Sequence, residues 1–382
     1  MKIVVVSDSF KGCASSREIN DLIEEGVRRA VPDSVVVKIP VADGGEGTVD
    51  ALMSEAGDKR CFFEVTNPMG DSVTAEVGVI NDNTAVVETA SASGLVLIAS
   101  DDRNPLIANT FGTGQLMLHA MDVLCRHQSE SRKKLFVGLG GSATNDCGMG
   151  MASALGYVFL DKNGNVVEPF PYNMIKVSSI DCLHASKKLF DCDIVGICDV
   201  RNPLYGAQGA TAVFGRQKGV TENNFTLLDD GLKNLAEVIH FQLNKDVANV
   251  PGAGAAGGLG AGLMAFCNAT LQSGIETVLD MSNFDEIIKD ADLVITGEGC
   301  IDSQSVYGKV PVGVARRSKI QNVPVLAVVG QMKCSADELK PFGIDAVVST
   351  VSPSVSPEKS IAGFGNLIPD VVSRYLSYML NV

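Results

Sequence analysis

The segment Gly138 to Gly150 reads GLGGSATNDCGMG. It follows the apolar run Leu135-Phe136-Val137, which predicts a buried strand, and precedes Met151-Ala152-Ser153-Ala154-Leu155, which predicts a helix start. Strand, glycine loop and helix in succession aim backbone N–H groups and the positive end of a helix dipole at one point, where an anion is favoured. Gly138, Gly140 and Gly141 are expected to let the backbone take positive φ and approach a ligand closely. Ser142 and Thr144 add hydroxyl donors, and Asn145 and Asp146 offer a hold on a hydroxyl or, through Asp146, on a metal. A capped turn needs the glycines but not this concentration of Ser, Thr, Asn and Asp, so the segment reads as a polyanion site.

The chain has 382 residues, enough for two or three domains, and 46% of them are hydrophobic, enough for sizeable cores. Its 39 glycines, roughly a tenth of the chain against a usual ~7%, cluster beside Asp, Ser and Thr, as in the ligand loops of an α/β enzyme. A net charge of −14 disfavours nucleic acid as a partner, because a nucleic-acid binder needs excess Lys and Arg. The same field repels an anionic substrate at long range, so local cations must capture one. Lys11, Arg201, Arg216, Lys218 and Lys309 each sit beside a glycine- or Asp-rich loop.

Ten cysteines without a CxxC pair and four histidines without ligand spacing argue against structural zinc. Met1 to Val6 reads as a first strand and not as a signal segment, so reduced thiols in a cytoplasm are expected. Val247 to Ile275 holds no charged residue, and Gly254, Gly258 and Gly262 are spaced as in membrane helix pairs. Pro251, the many glycines, Asn249, Asn268 and Gln272 make it too weakly apolar to span a bilayer, so a small-residue helix inside a core is expected and no membrane partner.

Taken in order, Ile3 to Val6 is a buried strand leading into Ser7-Asp8-Ser9-Phe10-Lys11. Ligands of open parallel sheets sit at the C-terminal ends of strands, which favours Asp8 and Lys11 for chemistry. Ser15 and Glu18 form a capping box for a helix with Ile19, Leu22, Ile23 and Val27 along one face. A second strand, Val35 to Val41, ends in a glycine-rich loop carrying Asp43 and Glu46, and a helix from Val49 to Ala56 follows. Residues Arg60 to Ile80 alternate as an antiparallel meander about a turn at Asn67 to Asp71, and Ala85 to Thr89 is a further strand. Gly112-Thr113-Gly114 caps a helix to Cys125. The strand Asp193 to Val200 carries Asp199 at its end, Phe214 to Gly219 is a basic loop, and a helix spans Asn224 to Leu243. The strand Ala291 to Ile295 leads into an acidic glycine loop, Thr296 to Gln304, with Glu298 and Asp302. Val310 to Lys319 is a helix, Val323 to Val329 and Ala346 to Thr350 are strands, and Pro369 to Leu380 closes the chain as a helix with its proline in the first turn.

This pattern predicts an α/β protein of two α/β domains. A Rossmann-like parallel-sheet domain is built from both chain ends, residues 1–65 and 285–382. A mixed α/β domain with the meander and glycine loops, residues 66–284, is inserted between them. Phosphate-cradling loops, carboxylates at strand ends and a few cations are the parts of a phosphoryl-transfer site. No GxxxxGK[ST] is present, so a P-loop is not indicated. Gly252 to Gly257 is a literal GxGxxG with Glu276 downstream, but Asn249-Val250-Pro251 spoils the preceding strand that a dinucleotide fold requires.

The segments SDSFKG (7–12), VADGGEGT (41–48), FGTG (111–114), GLGGSATNDCGMG (138–150), CDVRNPL (198–204), FGRQKG (214–219), PGAGAAGGLGAGLMAF (251–266) and TGEGCIDSQSVYGKVP (296–311) closely resemble the type 1 glycerate kinase family. The resemblance runs in order over essentially the whole chain. It departs at Cys147, where the family usually has Gly, and at Cys300, where it often has Arg; neither removes a carboxylate. The resemblance implies ATP- and Mg²⁺-dependent phosphorylation of D-glycerate, leaning to 2-phosphoglycerate, with the active site in the cleft between two α/β domains of a monomer or homodimer.

On that footing Gly140, Gly141, Ser142 and Thr144, with Gly254, Gly257 and Gly258, are expected to cradle nucleotide phosphates. Glu298 and Asp302, or Asp43 and Glu46, hold Mg²⁺, and the latter pair is otherwise available to substrate hydroxyls. Asp8 or Asp199 takes the proton from the glycerate hydroxyl. Lys11, Arg216 or Lys218 binds the glycerate carboxylate or the γ-phosphate. Two other classes compete: a nicotinamide-dependent dehydrogenase resting on Gly252 to Gly257, and a non-catalytic protein that binds a small anion.

Overall fold

Among the residues that the computed structural model describes (1–10, 13–41, 49, 52–53, 58–126, 131–302 and 309–380), the strands follow in chain order. They are β1 (Lys2–Ser7), β2 (Val35–Lys38), β3 (Lys59–Thr66), β4 (Ser72–Asn81), β5 (Thr84–Glu88), β6 (Lys133–Gly138), β7 (Val158–Leu160), β8 (Ser179–Asp181), β9 (Cys192–Ile197), β10 (Thr270–Gln272), β11 (Leu293–Ile301), β12 (Val325–Met332) and β13 (Ala346–Ser349). The chain divides into two compact units, Met1–Asp43 with Ser273–Val382, and Gly44–Gln272.

The first unit holds a five-stranded sheet in the order β13-β12-β11-β1-β2, parallel throughout. The β-branched run Ile3-Val4-Val5-Val6 has no exposed side chain, as expected of a central parallel strand covered on both faces. Helix Ser16–Ala30 begins at the predicted Ser15/Glu18 capping box and buries Ile19, Ile23 and Val27. The chain steps from β1 to β2 on one side and returns in β11 on the other. The C-terminal ends of β1 and β11 therefore flank the point where the winding reverses, where doubly wound sheets open a crevice.

The second unit holds a six-stranded sheet, β10-β9-β6-β5-β4-β3. The predicted meander is β3-β4-β5, antiparallel, and β5, β6, β9 and β10 continue it in parallel. Strands β7 and β8, which carry no clear sequence signal, pair antiparallel in a small sheet of their own. Helix Glu222–Leu243 buries Leu228, Leu232, Leu235 and Ile239. Residues Ala255–Cys267 form the expected small-residue helix within the core, broken near its start by left-handed backbone at Ala256 to Gly258, and no helix among the described residues is long and apolar enough to cross a membrane.

Three local expectations are corrected. The closing helix spans Pro357–Leu380, so Pro369 lies in its interior and not in its first turn. There Pro369 is buried, and its backbone packs so closely on helix Ser16–Ala30 that a Cβ on Gly26 would lie 2.6 Å from its carbonyl oxygen; this burial offsets the lost N–H. Gly112 and Gly114 do not cap their helix but lie within Phe111–Cys125, because a Cβ at Gly112 would stand 1.8 Å from the Thr66 carbonyl. Strand β11 runs to Ile301 and absorbs Glu298, since β12 keeps pairing with it through Gln331 and Met332.

Candidate active site

The glycine loop leaves β6 in the second unit, and its two halves behave differently. At Ala143 and from Cys147 onward the backbone is knitted into the fold. Ala143 N donates to Ser93 O, Cys147 N to Gly257 O and Met149 N to Asp146 O. Asp146 is fully buried and its carboxylate accepts from Thr110 N, Thr110 Oγ1, Gly148 N and Gly150 N. Burial pushes its pKa up, and these donors pull against it. The following helix, Met149–Ala154, has only six residues. The anion at its N-terminus is therefore Asp146 itself. This bears on two expectations: the buried Asp146 carboxylate is engaged by four protein donors rather than offered to a metal, and the helix end is already filled.

The outer half remains open. Among the described residues the N–H groups of Gly140, Gly141, Ser142 and Thr144 donate to no protein acceptor, whereas Gly141 O accepts from Leu95 N. Thr144 Oγ1 and Asn145 Oδ1 are buried and find no protein partner, although Asn145 Nδ2 donates to Thr211 Oγ1.

Other predicted residues gather around this loop. Leu139 N bonds Ile197 O, so the exposed Asp199, two residues past the end of β9, emerges at the same sheet edge. Arg216 and Lys218 share a 3₁₀ turn but part company: Arg216 is exposed, while Lys218 is 3% exposed and donates to Ser142 Oγ (2.9 Å) and Thr144 O (2.8 Å). Burial pushes the Lys218 pKa down to about 7, against an upward pull from Asp146. Gly257 and Gly258 take left-handed conformations with φ of +67° and +90°, and the room left by their missing Cβ atoms is filled by Thr144 and Asn145 at Gly257 and by Leu204 and Cys147 at Gly258. A Cβ at Gly254 would meet Pro203 O at 2.3 Å. These glycines thus let one loop seat on another. No strand leads into Gly252, as the residues before it form turns, so the dinucleotide-fold reading lacks its frame.

In the first unit Asp8 follows β1 directly. Its N–H donates to Gly297 O, and its carboxylate accepts from Ser9 N at 2.7 Å. Since Ser7 pairs with Gly297, Asp8 just past the end of β1 lies beside Glu298, which is still within β11. Glu298 is 5% exposed, and Lys309 Nζ lies 3.2 Å from Glu298 Oε2 and 3.8 Å from Asp302 Oδ1. Cys334, which the sequence gave no reason to notice, lies in the same field. Burial, then the charges of Glu338, Asp302 and Glu298, push its thiol up. No group of three or more His, Cys, Asp or Glu side chains among the described residues is placed to hold a metal ion. Lys11, Asp43 and Glu46 lie outside the described residues.

Sequence reasoning missed Thr110 and the Lys218–Ser142 contact, because each joins residues distant in the chain and neither has a local pattern.

Residues 3–379 match the model of the glycerate kinase family. A glycerate kinase of Bacillus cereus is 46% identical over 360 residues, covering 94% of this chain and 93% of that one. A glycerate 2-kinase of Escherichia coli K12 is 44% identical over 353 residues, covering 92% and 91%. The crystal structure of a Salmonella typhimurium LT2 protein described as glycerate kinase 2 superposes with a TM-score of 0.85 at 40% identity, covering 100% of this chain and 98% of that one. By sequence along nearly its whole length, and by fold, the chain belongs to the glycerate kinase family.

Proposed function

We propose that this chain transfers the γ-phosphoryl group of ATP to the 2-hydroxyl of D-glycerate, with Mg²⁺. Family membership supports glycerate as acceptor and ATP as donor, and the name of the Escherichia coli relative supports the 2-hydroxyl. The observation that carries the reading is the outer half of the Gly140 to Thr144 loop. Among the described residues the N–H groups of Gly140, Gly141, Ser142 and Thr144 are unspent, and the buried Lys218 lies against this loop. In an otherwise acidic protein this is a place made for phosphate oxygens.

The remaining roles follow from position. Asp199 at the end of β9, or Asp8 at the end of β1, takes the proton from the attacking hydroxyl. Arg216, exposed on its turn, meets an anionic group of substrate or nucleotide. Glu298 and Asp302 both reach the Lys309 ammonium, so their hard carboxylate oxygens face one cationic position, and Mg²⁺ is commonly held by one or two carboxylates together with substrate phosphates, so this pair would fit it. Held by these carboxylates, Mg²⁺ would supply neutralisation of charge on the transferred group.

The test is turnover with Mg·ATP and D-glycerate, with phosphorus NMR of the product. ADP together with a phosphorus signal coupled to the C2 proton is the expected result. Coupling to the C3 protons moves the acceptor hydroxyl, and binding of ATP without turnover favours the non-catalytic alternative.

A further inference from the structure

We propose that Lys218 is a positioning residue for the Gly140 to Thr144 loop and acts through Ser142. It fills an acceptor lone pair of the Ser142 hydroxyl, so that this hydroxyl has only its proton to give to a bound phosphate. The inference rests on reading this loop as the nucleotide-phosphate loop.

The direction of the contact is fixed by chemistry. In its protonated form Lys218 carries three N–H donors and no acceptor, so in the 2.9 Å contact Ser142 Oγ accepts. The second N–H ties down Thr144 O at 2.8 Å, which fixes the backbone between the two loop hydroxyls. The turn that carries Lys218 is itself held. Arg103 Nη1 donates to Gln217 O at 3.0 Å, and Gly219 ends the turn at φ +95° with its missing Cβ facing Arg103 O at 2.7 Å. Lys218 therefore cannot swing out to join Arg216 in solvent.

Charge points the same way. A buried ammonium is costly unless paired, and among the described residues no carboxylate forms a salt bridge with Lys218. The charged groups around it are Asp146, whose field favours its protonated form, Arg103 beside the turn and Arg216 on it. Asp146 is already engaged by its own donors. A phosphate in the loop supplies the negative charge that Lys218 lacks, and the held turn keeps the ammonium in place before the phosphate arrives.

The experiment compares Lys218→Met, Ser142→Ala and the double variant by steady-state kinetics with ATP and D-glycerate varied separately. Lys218→Met is expected to raise KM for ATP by ~10- to 100-fold, the weight of a hydrogen bond to a charged group, with KM for D-glycerate unchanged. Ser142→Ala is expected to raise KM for ATP in the wild-type background and to add nothing further in the Lys218→Met background. Independent, multiplicative effects overturn the proposal while leaving the phosphate-loop reading intact. A Ser142→Ala enzyme with unchanged KM for ATP overturns that reading and the proposal with it. Should Lys218→Met fail to fold, the wild-type pH profile decides. KM for ATP is expected to rise as pH climbs past the point where Lys218 loses its proton, and a flat wild-type profile overturns the proposal.

Discussion

Asp146 accepts both the backbone N–H and the hydroxyl of Thr110, at 2.8 and 2.7 Å, across thirty-six residues of chain. With Gly148 N and Gly150 N on the same carboxylate, this contact closes the inner half of the glycine loop. Asp146→Asn sets an amide N–H₂ against one of these donors. The expected loss is about 1–3 kcal/mol of unfolding free energy, read from urea denaturation. A variant as stable as the wild type removes Asp146 from its structural role.

Lys218 gives stability a pH dependence whose sign is fixed. Its folded pKa is about 7, below the ordinary lysine value, so between those two values the unfolded chain binds more protons than the folded one. Stability then rises with pH across that window, and below it the full cost of the buried charge stays in place. The difference in unfolding free energy between wild type and Lys218→Met is expected to move in favour of the wild type from pH 7 upward, on the order of 1 kcal/mol per pH unit. Parallel stability curves for the two proteins contradict this.

Two glycines with positive φ separate strain from crowding. Gly164 has φ +80° with nothing near its missing Cβ, and Gly164→Ala is expected to cost ~1–2 kcal/mol. Gly257 has φ +67°, and its Cβ would lie 1.9 Å from Thr144 O. Gly257→Ala must displace the Gly140 to Thr144 loop as well, so a larger loss of thermal stability and, on the proposed reading of that loop, of ATP affinity is expected. Equal melting temperatures for the two variants would count against the loop-on-loop packing.

Glu298 and Asp302 are tested through the metal requirement. Glu298→Gln keeps the shape and removes the charge, and the Mg²⁺ concentration for half-maximal activity is expected to rise ~10- to 100-fold. An unchanged Mg²⁺ titration moves the metal to other carboxylates.

Asp199→Asn and Asp8→Asn discriminate the general base. Loss of the base is expected to lower kcat by ~10² or more in one of the two, with substrate binding largely kept. Near wild-type turnover in both excludes the pair.

The order of elements was legible along the chain because its signals are local. The apolar runs at Ile3–Val6 and Leu135–Val137, the Ser15/Glu18 capping box and the turn at Asn67–Asp71 each depend on neighbours a few residues away, and each stands where it was expected. The family was legible because long motifs recur in order. Helix lengths were less so: Pro369 and Gly112 punctuate a sequence, yet burial against a partner helix or strand carries the helix through them.

By itself the sequence determined the α/β class, the parallel and antiparallel segments, and a set of polar residues at strand ends. Tertiary structure decided what each polar residue is engaged with. Asp146 and Ser142 sit four apart in one loop, but Thr110 claims the first and Lys218 the second. Arg216 and Lys218 sit two apart, but one faces water and the other lies buried against the loop. The physical reason is that hydrogen bonds and burial are settled by proximity in space, and these contacts join residues 36 and 76 positions apart, where no local pattern reaches.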